Sequence, residues 1–494
     1  MNRAIGRVWV PIVCAMVLLP GWIATGTLWT GHDAARLLQL ACALGAAIVL
    51  FWRAAFASLP SSLTPHQLSS RALLVCFCAG FLIALSVYFS DQPEWAGREI
   101  AVFLGGASVA WVVATGNRIH PFGLIVYAPT LCMAVYSLAV LLLLLMVFMT
   151  QVPLVMMQLF PGFENYRFLN HMQTVALPLC LLGTWNGWGA KVELERWGRR
   201  MAWFALVTGW ALLIFTTGRA TLVGVGVATV LAALLFGSSG RQVAKRMMVA
   251  AGAGWLLYLL LFWALPKALG IPLETPVLQQ IQQTQSIELR LMLWQLAWTH
   301  MLELPWWGIG PMHYAHRMNV EAAHPHNVVM QFLSEWGIPL TLLLVTCTLR
   351  WMLRFTSKIR QLIRHQSKPL PPTSLLLGVI LWMSVTGALI DGQFSGNFVM
   401  PVSQMWIAMV IGWALGWQQW VTSSQEQTAS SLKDSFRSKV QVVMASLFLI
   451  IAQVGLAWSI APEVKNIEAT LEQSQKKSLI PARYQPRFWV SGWF

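Results

Sequence analysis

Apolar runs of about 20 residues recur along the whole chain, each long enough to cross roughly 30 Å of hydrocarbon as a helix. They lie near 8–29, 34–57, 72–90, 99–116, 122–149, 172–188, 201–217, 220–238, 247–266, 327–348, 373–390, 403–420 and 440–459, separated by polar or basic connections. The first run is too long for a removable leader and lacks a small-residue cleavage site, so it is read as a span. The pattern predicts an all-α integral membrane protein, a polytopic bundle of about 12–13 transmembrane helices. Composition agrees: 57% of residues are hydrophobic and 10% charged, where a soluble domain carries about 25% charged residues. Residues 1–460 are expected to form one membrane domain. Residues 461–494 read as a polar outer tail in which nothing points to chemistry.

A formal net charge of +15 raises the question of a nucleic-acid partner, and the distribution of the charge argues against one. Lys191, Arg196, Arg199 and Arg200 share one connection; Arg241, Lys245 and Arg246 another. Arg350, Arg354, Lys358, Arg360, Arg364 and Lys368 follow, then Lys433, Arg437 and Lys439. With Arg3 and Arg7 they mark alternate connections as the cytoplasmic side, which puts the N-terminus inside and the tail outside. The seven cysteines all fall in predicted spans without metal-binding spacing and read as small apolar packers.

The outer side carries the unusual segments. One, Gln151 to His171, includes Pro161-Gly162-Phe163-Glu164-Asn165-Tyr166-Arg167. A long one covers 267–326, and connections of that length are usually functional. Within it Ser286 is placed to cap a helix running to Trp298 or beyond, which Pro305 should end before a turn at Gly308-Ile309-Gly310. The third is the loop Asp391 to Phe398 between two spans.

Four arginines, Arg167, Arg219, Arg290 and Arg317, lie on or at the edge of this outer side, against the prevailing charge rule. An arginine at the membrane edge is costly unless paired or functional. Its planar fork matches phosphate oxygens, so the group suggests a phosphate or diphosphate whose lipid tail stays in the bilayer; the plainer reading is snorkelling or a structural ion pair. His326, in Ala322-Ala323-His324-Pro325-His326-Asn327, is the candidate general base, with an ordinary pKa near 6.5. Asn327 is suited to cap the helix that follows. His324 is an orienting partner, and His171 a third candidate at another helix start; the plainer reading of each is a histidine bonded to backbone. A metal site from His324, His326 and Asp391 has no supporting spacing, so metal-independent chemistry is expected, with no cofactor.

These segments resemble the O-antigen ligase and polymerase superfamily, which includes pilin-type O-oligosaccharyltransferases. The resemblance rests on Arg290-Leu-Met-Leu-Trp294, Glu303-Leu-Pro305-Trp-Trp-Gly308-Ile-Gly310, His324-Pro325-His326-Asn327 and Glu335-Trp-Gly337. In the ligases His-Asn (or Ser or Gln) is followed by nine residues and Gly-x-x-Gly/Thr. Here the nine residues lead to Gly337, but Leu340 stands at the last position, with Thr341 next. Thr217-Gly218-Arg219-Ala220 is similar to the family's Ser/Thr-Arg element. The resemblance covers about 165–345. It implies a membrane-embedded, inverting glycosyltransferase at the periplasmic face of a bacterial inner membrane, using an undecaprenyl-diphosphate-linked glycan donor. By the same resemblance Arg219 and Arg290 hold the diphosphate and His326 deprotonates the acceptor hydroxyl; Arg167, His171, His324, Asn327 and Arg317 are further substrate contacts. The favoured acceptor is the lipid A core, as in a ligase. Another glycan (a polymerase) or a pilin hydroxyl (protein glycosylation) are the alternatives, and a lipid-linked glycan flippase is the reading from a different class.

Overall fold

A computed structural model describes residues 2–24, 30–56, 70–116, 124–151, 159–188, 191–271, 285–317, 319, 322–364, 372–423, 432–466, 486–490 and 492. Residues 272–284 of the long loop and 467–485 of the tail, including Glu274, Lys476, Lys477 and Arg483, lie outside them, as does Glu321. Among the described residues there is helix and no strand. The elements are α1 (Asn2–Ala15), α2 (Leu19–Ala24), α3 (Gly31–Phe56), α4 (Ser70–Tyr88), α5 (Pro93–Gly116), α6 (Ala128–Thr150), α7 (Tyr166–Cys180), α8 (Val192–Phe215) and α9 (Arg219–Leu235). They continue with α10 (Gly237–Leu259), which passes through a π-turn into the short α11 (Leu265–Leu269), then α12 (Gln285–Glu303), α13 (Val328–Arg364), α14 (Pro372–Asp391), α15 (Pro401–Ser423) and α16 (Leu432–Lys465).

Each of the thirteen apolar runs is occupied by helix, the first as a broken pair, α1 and α2. Seven helices among the described residues are long and apolar enough to cross a membrane. The chain is an all-α polytopic membrane protein. The helix expected from Ser286 runs from Gln285 to Glu303 and stops two residues before Pro305, whose ring cannot sit in a helix interior.

In hydrocarbon the apolar effect does not drive helices together, so close contact comes from small residues. Helices α5 and α15 pack this way. Gly412 and Gly416, four residues apart on α15, lie over Ala110 and Ala114 on α5. A Cβ at Gly412 would fall 2.2 Å from the Ala110 carbonyl oxygen, and one at Gly416 2.7 Å from that of Ala114. Trp413 and Trp417 fill the layer beside them, fully buried. The Trp417 indole donates to the Ser374 carbonyl, 2.9 Å away, tying α15 to α14.

Helix α13 is broken at Gly337 (φ 75°, ψ 171°), which separates a short first segment at the edge of the bundle from the longer rod. The break is built with Gly308 (φ 71°), because the two backbones meet with no room for a Cβ on either. A Cβ at Gly337 would be 2.7 Å from the Trp306 carbonyl, and one at Gly308 2.4 Å from that of Glu335. Backbone hydrogen bonds from Ile309 to Ser334, Gly310 to Glu335 and Ile338 to Pro305 close the junction at 2.9, 3.0 and 2.8 Å. The glycine spacing seen in the sequence is therefore the signature of one interlock. Where the ligase pattern has Gly/Thr, buried Leu340 packs, and the hydroxyl of Thr341 donates to the Gly337 carbonyl at the break (2.7 Å).

The polar tail does not stay apart from the membrane domain throughout. Its segment 486–490 lies buried against α3, α5 and α16, with Phe488 and Trp489 in an apolar cluster with Met312, Leu456 and Ile460. We expect Gly412→Val to lower the thermal midpoint of the purified protein, since overpacking costs typically 1–3 kcal/mol. Gly226→Ala, with nothing within 4 Å of the added Cβ, should leave it unchanged; equal midpoints for the two variants contradict the close α5–α15 contact.

Candidate functional site

Helices α7, α9 and α13 begin near one another at the same edge of the bundle, and α12 lies across them. The start of α7 is fixed by Asn165, whose side chain accepts from the Arg167 backbone N–H (2.9 Å). The start of α9 follows a tight bend in which Thr217 takes φ 54°. The Thr216 hydroxyl donates to Asn170 Oδ1 (2.8 Å), and the Thr221 hydroxyl donates to the Asn170 carbonyl (2.8 Å). The hydroxyl of Thr174 lies 2.8 Å from that of Thr221 and 2.7 Å from Asp391 Oδ2. Asn170 and Thr174 on α7 thus fasten the start of α9 to the end of α14. Sequence reading passed over both, because their partners lie 46 and 217 residues away.

His326 sits on the turn before α13 in the left-handed backbone region (φ 53°), where a non-glycine residue is strained and persists only under external restraint. The restraint is visible on every side. Asn327 caps α13, its Oδ1 accepting from Val329 and Met330 (both 3.0 Å), while its Nδ2 donates to the Gln393 carbonyl (3.1 Å). The Val328 N–H donates to the Gly392 carbonyl (2.8 Å). From the other side the Trp294 indole donates to the Pro325 carbonyl (3.0 Å). Buried His324 accepts the His326 backbone N–H at Nδ1 (3.3 Å) and stands edge-on to the His326 ring, 4.2 Å between centroids. Gly396 makes room for it, since a Cβ there would lie 2.5 Å from the His324 ring.

The electrostatics around this turn are cationic. Burial, then Arg219 and Arg167, lower the pKa of Arg290, with Asp391 opposing. Burial, then Arg290 and Arg167, push His326 down to about 3. His171, in the first turns of α7, feels His326, Arg167 and Arg290 as well. Among the described residues Arg167 and Arg290 form no ion pair within 4 Å; Arg167 lies over the Tyr166 ring, 5.9 Å from its centroid. Three helix N-termini add their positive ends to the same place. The structure therefore gathers Arg167, His171, Arg219, Arg290, His324, His326 and Asn327 around one position. Arg317 is not among them. It pairs with Glu303, beside His300 and His313. Among the described residues no group of three or more His, Cys, Asp or Glu is gathered to hold a metal ion.

Such a site can hold an anion carrying several oxygens and present a neutral imidazole to a proton. A histidine whose folded pKa lies below its ordinary 6.5 binds fewer protons folded than unfolded, so its stability contribution is complete above 6.5 and fades as the pH falls toward 3. Between about pH 7.5 and pH 5 the thermal midpoint of the wild type should therefore fall more than that of His326→Gln. Parallel falls would show that His326 is not held in a cationic, water-poor setting.

No curated protein matches this chain. Residues 204–345 match the family model described as O-antigen ligase, a segment that runs from α8 through α9, the long loop and His326 to the break in α13. Over those residues the chain is similar to O-antigen ligases, and the match supports the O-antigen ligase/polymerase superfamily.

Proposed function

We propose that this protein is a metal-independent, inverting glycosyltransferase that takes a glycan from undecaprenyl diphosphate and attaches it to a sugar hydroxyl of the lipid A core at the periplasmic face of the inner membrane. The observation that carries the reading is the convergence of Arg167, Arg219 and Arg290 on the turn that holds His326. A diphosphate gives that cluster the counter-charge it needs, and its charge grows as the sugar–phosphate bond breaks, so the arginines stabilise the transition state more than the bound donor. In the step, the acceptor oxygen attacks the anomeric carbon from the face opposite the leaving group. The carbon–oxygen bond to phosphate breaks with its electron pair going to the diphosphate. The hydroxyl proton passes to the His326 imidazole.

The depressed pKa of His326 fits this order of events. With the site empty, burial and then the charges of Arg290 and Arg167 keep the ring neutral and weakly basic. The dianionic diphosphate screens the same charges, which raises the ring's basicity when the donor is in place. Hydrocarbon has a seat as well. A groove of about 850 Å³ runs between α5, α13, α15 and α16, from Gln39, Phe398 and Gln404 at the site end to Gln419 and Gln441 at the other. Phe332 and Trp336 on α13 line it, while Met330 on that helix turns toward α12 and its arginine.

His326→Ala should cut transfer by ~10²-fold or more, the scale of a lost general base, while the protein stays in the membrane and still binds donor. Arg290→Ala should lose donor affinity together with turnover. Wild-type transfer by purified His326→Ala protein would sink the base assignment. The acceptor is read from the lipopolysaccharide banding of a deletion strain. Loss of all long glycan from lipid A supports the ligase; a single capping repeat identifies a polymerase, and an unchanged ladder with a faster-migrating pilin identifies protein glycosylation. Loss of a flippase would trap lipid-linked glycan on the cytoplasmic side instead.

A further inference from the structure

The tail segment 486–490 brings an arginine into the interior directly behind the proposed active site. Arg487 is buried and its Nη2 donates to Glu99 Oε1 (2.6 Å) and to both oxygens of Glu335 (2.6 and 2.9 Å). Glu335 is completely buried in the short first segment of α13, two residues before the Gly337 break. Its other contacts lead to the site. Oε1 accepts the Tyr314 backbone N–H (3.1 Å), and the Tyr314 hydroxyl donates to the Leu293 carbonyl on α12 (3.1 Å), one turn from Arg290. Oε2 accepts from the side chain of Gln331 (3.2 Å), whose backbone N–H donates to the Asn327 carbonyl (2.9 Å). Arg487 also lies close enough to His324 for its charge to bear on that ring.

The segment is itself clamped, through its backbone. Arg36 donates to the carbonyls of Arg487 and Phe488 (2.9 and 3.1 Å), and Asp33 accepts the Val490 N–H (2.8 Å). The Trp489 indole donates to Glu463 (2.7 Å). Two acidic and two basic side chains, Glu99, Glu335, Arg36 and Arg487, are thus buried together.

We propose that Arg487 is a positioning residue for the transfer reaction. By gripping Glu335 it seats the first segment of α13, and with it the His326 turn, against α12 and its arginine. The inference rests on the reading of His326 as the base. A purely structural ion pair would have no reason to join the elements that carry His326 and Arg290 through one carboxylate. Arg246 offers a structural comparison without a carboxylate: it donates to the Thr184 hydroxyl (2.9 Å) and stacks on Trp185, at the other end of the bundle from His326 and Arg290.

The test uses full-length protein in nanodiscs, with release of undecaprenyl diphosphate from a lipid-diphosphate-linked glycan measured in the presence of lipopolysaccharide core. A misplacement of about 1 Å costs on the order of 10²-fold in rate. Arg487→Gln should therefore lose kcat on that scale, with KM for the donor nearly unchanged, and Arg487→Lys should recover much of the loss. Arg246→Gln, whatever it does to the melting temperature, should keep wild-type kcat. If Arg487→Gln fails to fold, the charge-balanced Arg487→Gln/Glu99→Gln pair replaces it and should show the same split. Wild-type kcat in either folded variant overturns the proposal, as does a loss that falls entirely in KM. His326→Ala in the same assay separates the two ideas. If it is inactive while Arg487→Gln turns over normally, only the positioning role fails; if it is active, both fail.

Discussion

The carboxamide of Asn327 is the contact on which the site depends. One side chain caps the first turn of α13 and reaches across to the Gln393 carbonyl, so the helix start and the 391–398 loop are a single unit. At the edge of a bilayer this economy matters, because a backbone group left unpaired there has little water to turn to. The cap, the Val328–Gly392 hydrogen bond and the Trp294–Pro325 hydrogen bond together leave His326 one conformation, a strained one. Strain of this kind costs of order 1–3 kcal/mol and survives only where the surroundings over-determine it. The backbone that carries the imidazole is thereby fixed.

Around the fixed turn the charges are arranged in two shells of opposite character. Facing outward, Arg219 and Arg167 bear on Arg290, with Asp391 opposing them there. Facing inward, behind α13, Arg487 and Arg36 are matched by Glu99 and Glu335. Removing one partner from a buried pair of this kind costs about 3–5 kcal/mol, because the other is left charged without water. The inward set is a frame of matched charges, and the outward set is the proposed binding surface.

Much of this was legible in the sequence because the membrane restricts the solutions. Backbone polar groups must be satisfied within each span, so apolar length alone located the helices. Helix starts were legible too: Arg219 opens α9, and Asn327 caps α13 as its position suggested. The Gly308 and Gly337 positions were visible as a motif, but the interlock that requires them was not, since it joins backbones 25 to 33 residues apart. Least legible was Arg487. Its partners lie 152 and 388 residues away, and in a tail rich in lysine and arginine nothing local distinguishes the one that is buried. Arg317 is the contrasting case. It has the same local appearance as Arg290, yet Glu303 claims it.

The most direct test of the account is a structure of the His326→Ala protein in a nanodisc with an undecaprenyl-diphosphate-linked glycan bound. The account predicts the diphosphate within hydrogen-bonding reach of Arg219 and Arg290, with the anomeric carbon turned toward residue 326. A diphosphate bound elsewhere, or one that leaves residue 326 on the far side of the leaving group, would contradict it.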